Sequence, residues 1–94
     1  MSVRLEHPED RSASRGRDVR RERFEAIFEE HFRFVSAYVC RRAGEGEADD
    51  AVAETFVVAW RRLDEMPLEA RPWLLGVARR VLANQRRAAV RRGV

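Results

Sequence analysis

The sequence predicts an all-α fold, a three-helix bundle behind a disordered N-terminal leader, and three observations predict it. Apolar residues recur at spacings of three and four in three successive segments, no segment alternates with a period of two, and the breaks fall at Gly and Pro. The 94 residues make one small domain, and an apolar content of 45% is enough for a core if amphipathic helices supply it. Short connections between such helices give a bundle.

Residues 1 to 18 alternate charges with Ser, Gly and Pro and show no apolar period, which predicts the leader. The helical domain is expected over residues 19 to 92. Its first helix starts near Val19 and carries a stripe of Phe24, Ile27, Phe28, Phe32, Val35, Tyr38 and Val39. Cys40 lies near that stripe and is expected as a small buried hydrophobe. Gly44 is placed just past the helix end. The second helix is predicted from about Glu47 to Glu65, with Val52, Phe56, Ala59, Trp60 and Leu63 on its buried face. Glu47, Asp49 and Asp50 crowd its first turn, where carboxylates favour the positive end of the helix dipole, and Pro67 closes it. The third helix is predicted from about Arg71 to Arg91, with Pro72 in the first turn and Trp73, Leu74, Val77, Ala78, Val81 and Leu82 inward.

Charge is unevenly divided along this chain. Residues 24 to 66 hold five Arg against ten acids, whereas residues 67 to 94 hold seven Arg against Glu69 alone. The net charge of +3 thus hides an acidic centre beside a basic C-terminal helix, a pattern suited to two partners of opposite sign. No segment approaches the roughly 20 apolar residues that span a bilayer, so no membrane partner is expected. The N-terminus lacks the apolar middle of a secretion signal. A single cysteine forms no intrachain disulfide, and a cytoplasmic setting is expected.

Enzymatic readings find little support. His7 lies in the leader, and His31 has no metal-spaced ligand on its own helix, so a solvated or hydrogen-bonded structural role is expected for it. Asp49 and Asp50 are adjacent and would point about 100° apart on a helix, which does not make a paired-carboxylate site. Gly44-Glu45-Gly46 lacks the strand-to-helix context of a phosphate loop. The expectation is a binding protein without metal or cofactor. Arg79, Arg80, Arg86, Arg87, Arg91 and Arg92 would give the third helix a salt-sensitive affinity for phosphates, or else a solvated face. Asn84 and Gln85 lie among them and can read base edges, and Trp73 could stack an unpaired base or join the core. On the second helix, Asp50 and Glu54 share a face that a basic partner could meet.

Two runs of residues then resemble a known family. Asp49-Asp50-Ala51-Val52-Ala53-Glu54-Thr55-Phe56-Val57-Val58-Ala59-Trp60 resembles region 2 of bacterial sigma factors of the extracytoplasmic-function (ECF) group. Arg71-Pro72-Trp73-Leu74-Leu75-Gly76-Val77-Ala78-Arg79-Arg80-Val81-Leu82-Ala83-Asn84 is similar to the promoter-melting part of the same domain. With Phe24-Glu25-Ala26-Ile27-Phe28 ahead of them, the resemblance covers roughly residues 22 to 92. It implies a sigma region 2-like domain that docks on the clamp helices of the β′ subunit of RNA polymerase. Asp50, Ala53, Glu54, Phe56 and Trp60 would fall at or near that contact. It also implies that the loop from Pro67 to Ala70 and the helix after it engage the non-template strand of the minus-ten promoter element and hold it open. Glu69, Arg71, Trp73, Arg79, Arg80, Asn84, Arg86 and Arg87 would serve there. An anti-sigma factor is a further implied partner.

The chain departs from the family pattern at Ala53, where many members have Gln, and at Arg80, where many have Asn. The loop between its second and third helices is also short. Family members continue through a linker into a second helical domain, region 4, which reads the minus-thirty-five element. This chain stops at Val94, where the linker would begin, and the expectation is an excised domain, with a truncated protein as the alternative. The competing reading is a helical protein-interaction module, such as a regulator-binding adaptor, whose arginines are solvated and which opens no DNA.

Overall fold

The computed structural model describes residues 8–44 and 46–93, so His7 and the first part of the expected leader lie outside the described residues. Among the described residues, three α-helices and one 3-10 turn follow one another: α1 (Pro8–Arg42), α2 (Ala48–Arg61), the turn Leu63–Glu65, and α3 (Ala70–Arg91). Each helix packs on the other two.

α1 runs ahead of its apolar stripe. It starts at Pro8 rather than near Val19, so the described part of the expected leader is helical. Pro suits a first turn, and the Arg, Glu and Ala that follow are good helix formers even without a core to face. Residues 15–19 are exposed. Two arginines then fix the helix to the far end of α2. Arg20 donates to the Trp60 carbonyl at 2.8 Å and lies 3.3 Å from the Asp64 carboxylate, while Arg23 donates to the Met66 carbonyl at 3.1 Å.

The connection from α1 to α2 turns at Gly46, whose φ of +86° is a backbone state that glycine adopts without strain. α2 ends earlier than the sequence predicts. Its last expected turn tightens into the 3-10 segment Leu63–Glu65, with Met66 N–H bonded to the Leu63 carbonyl at 3.1 Å. That tightening keeps Leu63 fully buried and turns the chain toward Pro67.

The core forms where the three stripes meet. Val35 and Val39 come from α1, and Val52, Phe56 and Ala59 from α2. Leu74, Val77, Ala78, Val81 and Leu82 come from α3. Thr55 is buried among them without penalty, since its hydroxyl donates to the Ala51 carbonyl at 2.7 Å. Three residues expected to face inward do not. Phe28, Phe32 and Trp60 are 38%, 40% and 41% exposed, and Cys40 is exposed as well. They sit at the margins of their stripes, on flanks that the neighbouring helix covers only in part.

Candidate functional site

Three surfaces carry the residues singled out in the sequence. The first is the outer face of α2. Asp50, Ala53, Glu54 and Trp60 are all exposed, at the spacings of three and four that line one helix face. Val57, 41% exposed, stands between them and was not predicted. Its signal was available, since an apolar residue three after Glu54 interrupts a polar face. Phe56 is buried and supports this surface from beneath rather than forming it.

An aromatic row on α1 adjoins this face. Phe24, Phe28 and Phe32 follow one another with ring centres 6.1 and 4.9 Å apart, and Phe56 packs against Phe28 at 4.8 Å. Trp60 meets Phe24 edge-on at 5.4 Å. Between the helices runs a groove of about 270 Å³ lined by Phe28, Phe32, Ser36, Cys40, Asp49, Val52, Ala53 and Phe56. The surface is therefore apolar with carboxylates along its edge, which suits a partner helix bearing basic side chains.

The second surface is the start of α3. Leu68 is fully exposed at the tip of the short loop, and Glu69 precedes the helix in an extended conformation without a side-chain cap bond. Arg71 is held from two sides. Its Nε–H donates to Nδ1 of His31 at 3.2 Å, and its guanidinium lies 4.2 Å from the centre of the Phe34 ring. His31 is buried, with Nε2 3.2 Å from the Glu30 carboxylate. It takes the hydrogen-bonded structural role expected of it, and its partner, 40 positions away, had no signal in the sequence. An open cleft of about 380 Å³ lies here, lined by Glu30, His31, Leu68, Glu69, Ala70, Arg71 and Pro72. Trp73 is half-buried against the core, with the Arg62 guanidinium 5.5 Å from its ring centre. Arg62 also donates to the Glu65 carboxylate at 2.9 Å. That hydrogen bond first, and the attached positive charge second, hold the Glu65 carboxyl below the usual carboxylate range.

The third surface is α3 itself, and its polar residues are sorted onto two sides. Arg79 and Arg86 face α1, in a cleft of about 530 Å³ shared with Tyr38, Arg42, Leu82 and Ala83. Arg80, Asn84 and Gln85 face α2, in a cleft of about 470 Å³ shared with Asp50, Glu54 and Arg62. Asn84 and Gln85 thus stand apart from Arg79 and Arg86. Asn84 accepts a hydrogen bond from Arg87, and the Gln85 side-chain oxygen is shielded without a partner.

The family model for Sigma-70 region 2 matches residues 27–92. Curated relatives are the ECF RNA polymerase sigma factor SigL of Mycobacterium tuberculosis, in strains Erdman, CDC 1551 and H37Rv. Each is 36% identical over 73 residues, covering 73% of this chain and 41% of the relative. The chain thus spans about two fifths of the length of the curated relatives it matches. No solved structure matches it.

Proposed function

The chain belongs to the sigma-70 region 2 family, as a domain of the ECF group, and on that premise we propose that it docks on RNA polymerase and opens the minus-ten promoter element. The observation that carries this reading is the separation of its two exposed chemistries. An acidic, apolar face on α2 stands apart from an α3 side lined by arginine.

In this reading Asp50 and Glu54 meet basic side chains of the β′ clamp helices, while Ala53, Val57 and Trp60 pack against their apolar flank. Phe56 sets the position of that face from within. Ala53 contributes contact area in place of a hydrogen bond, so the carboxylates carry more of the specificity. The face would also serve an anti-sigma factor, because a protein that covers it blocks the polymerase.

The start of α3 takes the non-template strand. A base swung out of the stack enters the cleft behind Leu68, beside Glu69 and Arg71, whose guanidinium His31 and Phe34 hold in place. Trp73 stiffens the helix beneath it. Arg79, Arg86 and Arg87 hold the phosphates of the opened strand, and Arg80, which shares its cleft with Asp50 and Glu54, adds less. No bond is made or broken: binding energy spent on the separated strand favours the open state. The setting is the cytoplasm, where polymerase and promoter meet. Among the described residues no helix is long and apolar enough to cross a membrane.

Titration of the chain against core RNA polymerase, or against a β′ clamp-helix fragment, tests the reading with Glu54→Arg alongside. Glu54 is exposed, so the variant keeps its fold. Saturable binding is expected for the native chain, weakened at least about tenfold in the variant, as for a charge reversed at a complementary interface. Equal binding by both would remove α2 from the interface. Absence of binding by the folded native chain would remove the polymerase.

A further inference from the structure

We propose that the cleft between the end of α1 and the middle of α3 is a binding site for nucleic-acid backbone phosphate, in which Arg42 of α1 acts together with Arg79 and Arg86. The proposal rests on the promoter-opening reading and extends the phosphate-binding surface from α3 onto a second helix.

The cleft brings three guanidinium groups together over a small apolar floor of Leu82 and Ala83. Among the described residues no acidic side chain lines it. Like charges converging at one place repel each other, and an anion seated among them relieves that repulsion and gains from all three. Two of the three groups are also held in position. The Arg42 guanidinium lies 3.8 Å from the centre of the Tyr38 ring, in stacking range, and donates to the Tyr38 carbonyl at 3.4 Å. Arg86 reaches across from α3 and donates to the Arg42 carbonyl at 3.4 Å. Arg42 and Arg86 thus each spend one N–H group on fixing themselves and keep others for a ligand.

Spacing favours a chain of phosphates over a single small anion. Arg79 and Arg86 are seven residues apart, two helical turns, so their Cα atoms stand about 10 Å apart along α3. A planar guanidinium that both stacks and forks toward oxygen is matched to phosphate. Continuity with the rest of α3, which carries no acid after Glu69, points to a strand that runs along the helix. A helix C-terminus alone would account for a cation in the last turn of α1, but Arg41 already supplies one there.

The test is fluorescence anisotropy of the chain with labelled single-stranded DNA of about 16 nucleotides and mixed sequence, read across a series of salt concentrations. Each phosphate contact contributes about 0.7 to the slope of log affinity against log salt. Arg42→Gln should therefore flatten the slope by about 0.7 and weaken binding about fivefold near 0.1 M salt. Arg42→Lys, which keeps the charge, should restore the slope. Arg61→Gln removes the same charge from α2, away from the cleft, and should bind like the native chain. Should the native chain bind DNA while Arg42→Gln and Arg61→Gln prove identical, the cleft proposal falls and the DNA-binding reading stands. A folded native chain that binds no DNA would sink both. Polyglutamate displacing the DNA as well as unlabelled strand does would make this an acidic-peptide site and overturn the proposal.

Discussion

Arg79 and Arg80 are neighbours in the sequence and stand in opposite electrical settings. Arg79 enters the cleft toward α1, where its companions are Arg42, Arg86 and a tyrosine. Arg80 enters the cleft toward α2, where Asp50 and Glu54 face it. One helix therefore carries two kinds of arginine. In the first cleft the positive field is uncompensated and reaches out to an anion. In the second, the same charge is offset across the groove, and its main effect is to shape the acidic face of α2. A count of arginines along α3 merges the two, and the difference appears only once the helix on each side is known.

The largest change breaks the comparison altogether. Leu74 is fully buried on α3, which forms a wall of both clefts. Leu74→Ala should cost about 3 kcal/mol through lost burial and the cavity left behind. For a domain of this size that lowers the melting temperature by roughly 15 °C, and both clefts should be lost in one transition. Calorimetry checks the size of the effect, and DNA binding and polymerase binding should fade over the same temperature range. Loss of one before the other would show that the two surfaces are not built on a common core.

A smaller change sharpens it. Arg79→Gln should weaken single-stranded DNA binding about fivefold near 0.1 M salt, the weight of one phosphate contact. Arg80→Gln should lose less than about twofold, because the carboxylates of Asp50 and Glu54 share its cleft and offset part of its field. Anisotropy titrations of the two variants under one buffer decide the matter. Equal losses would mean that the strand crosses both clefts and that the acids of α2 do not shield Arg80.

How far this could be seen in the sequence differs between helices. The α3 stripe was legible but for its first member: Leu74, Val77, Ala78, Val81 and Leu82 are all buried, because a helix packed on two neighbours buries a wide and regular face, while Trp73 is half-buried. α1 was legible only in its middle. Val35 and Val39 are buried as expected, but Phe28 and Phe32 lie partly open, since they sit on a flank of α1 that α2 meets only in part, through Phe56. The early start of α1 gave no signal, because periodicity reports burial against a core and residues 15–19 are exposed. Of the candidate site, spacing alone placed Asp50 and Glu54 on one face of α2, whereas Ala53 and Trp60 came from the family resemblance and Trp60 was expected inward by its period. The sorting of α3 arginines was not readable from spacing. Adjacent residues part by about 100°, which separates Arg79 from Arg80, but which helix lies on either side is a matter of bundle handedness that no periodicity encodes. The His31–Arg71 bond and the place of Arg42 beside Arg86 are invisible for the same reason.

The smallest effect separates an arginine held by an acid from one that is not. Arg62 borders the mixed cleft and is bonded to Glu65, whereas Arg42, among the described residues, has no carboxylate partner in an ion pair. The Arg62 bond holds the Glu65 carboxyl below its ordinary range in the folded chain. A carboxyl lowered on folding adds stability that is present above its unfolded pKa and lost as pH falls through the folded one. The pair is open to solvent, so that contribution is small, and the titration itself is the better readout. Followed by NMR of the side-chain carboxyl carbon, Glu65 should titrate below the usual carboxylate range in the native chain and return to it in Arg62→Gln. The same substitution frees one face of Trp73, whose indole signals should shift with it. Arg42→Gln, by contrast, should leave the Glu65 midpoint unchanged, since Arg62 alone is bonded to that carboxylate. A Glu65 midpoint that moves as far in Arg42→Gln as in Arg62→Gln would show that the chain's overall charge, and not the bonded arginine, sets it.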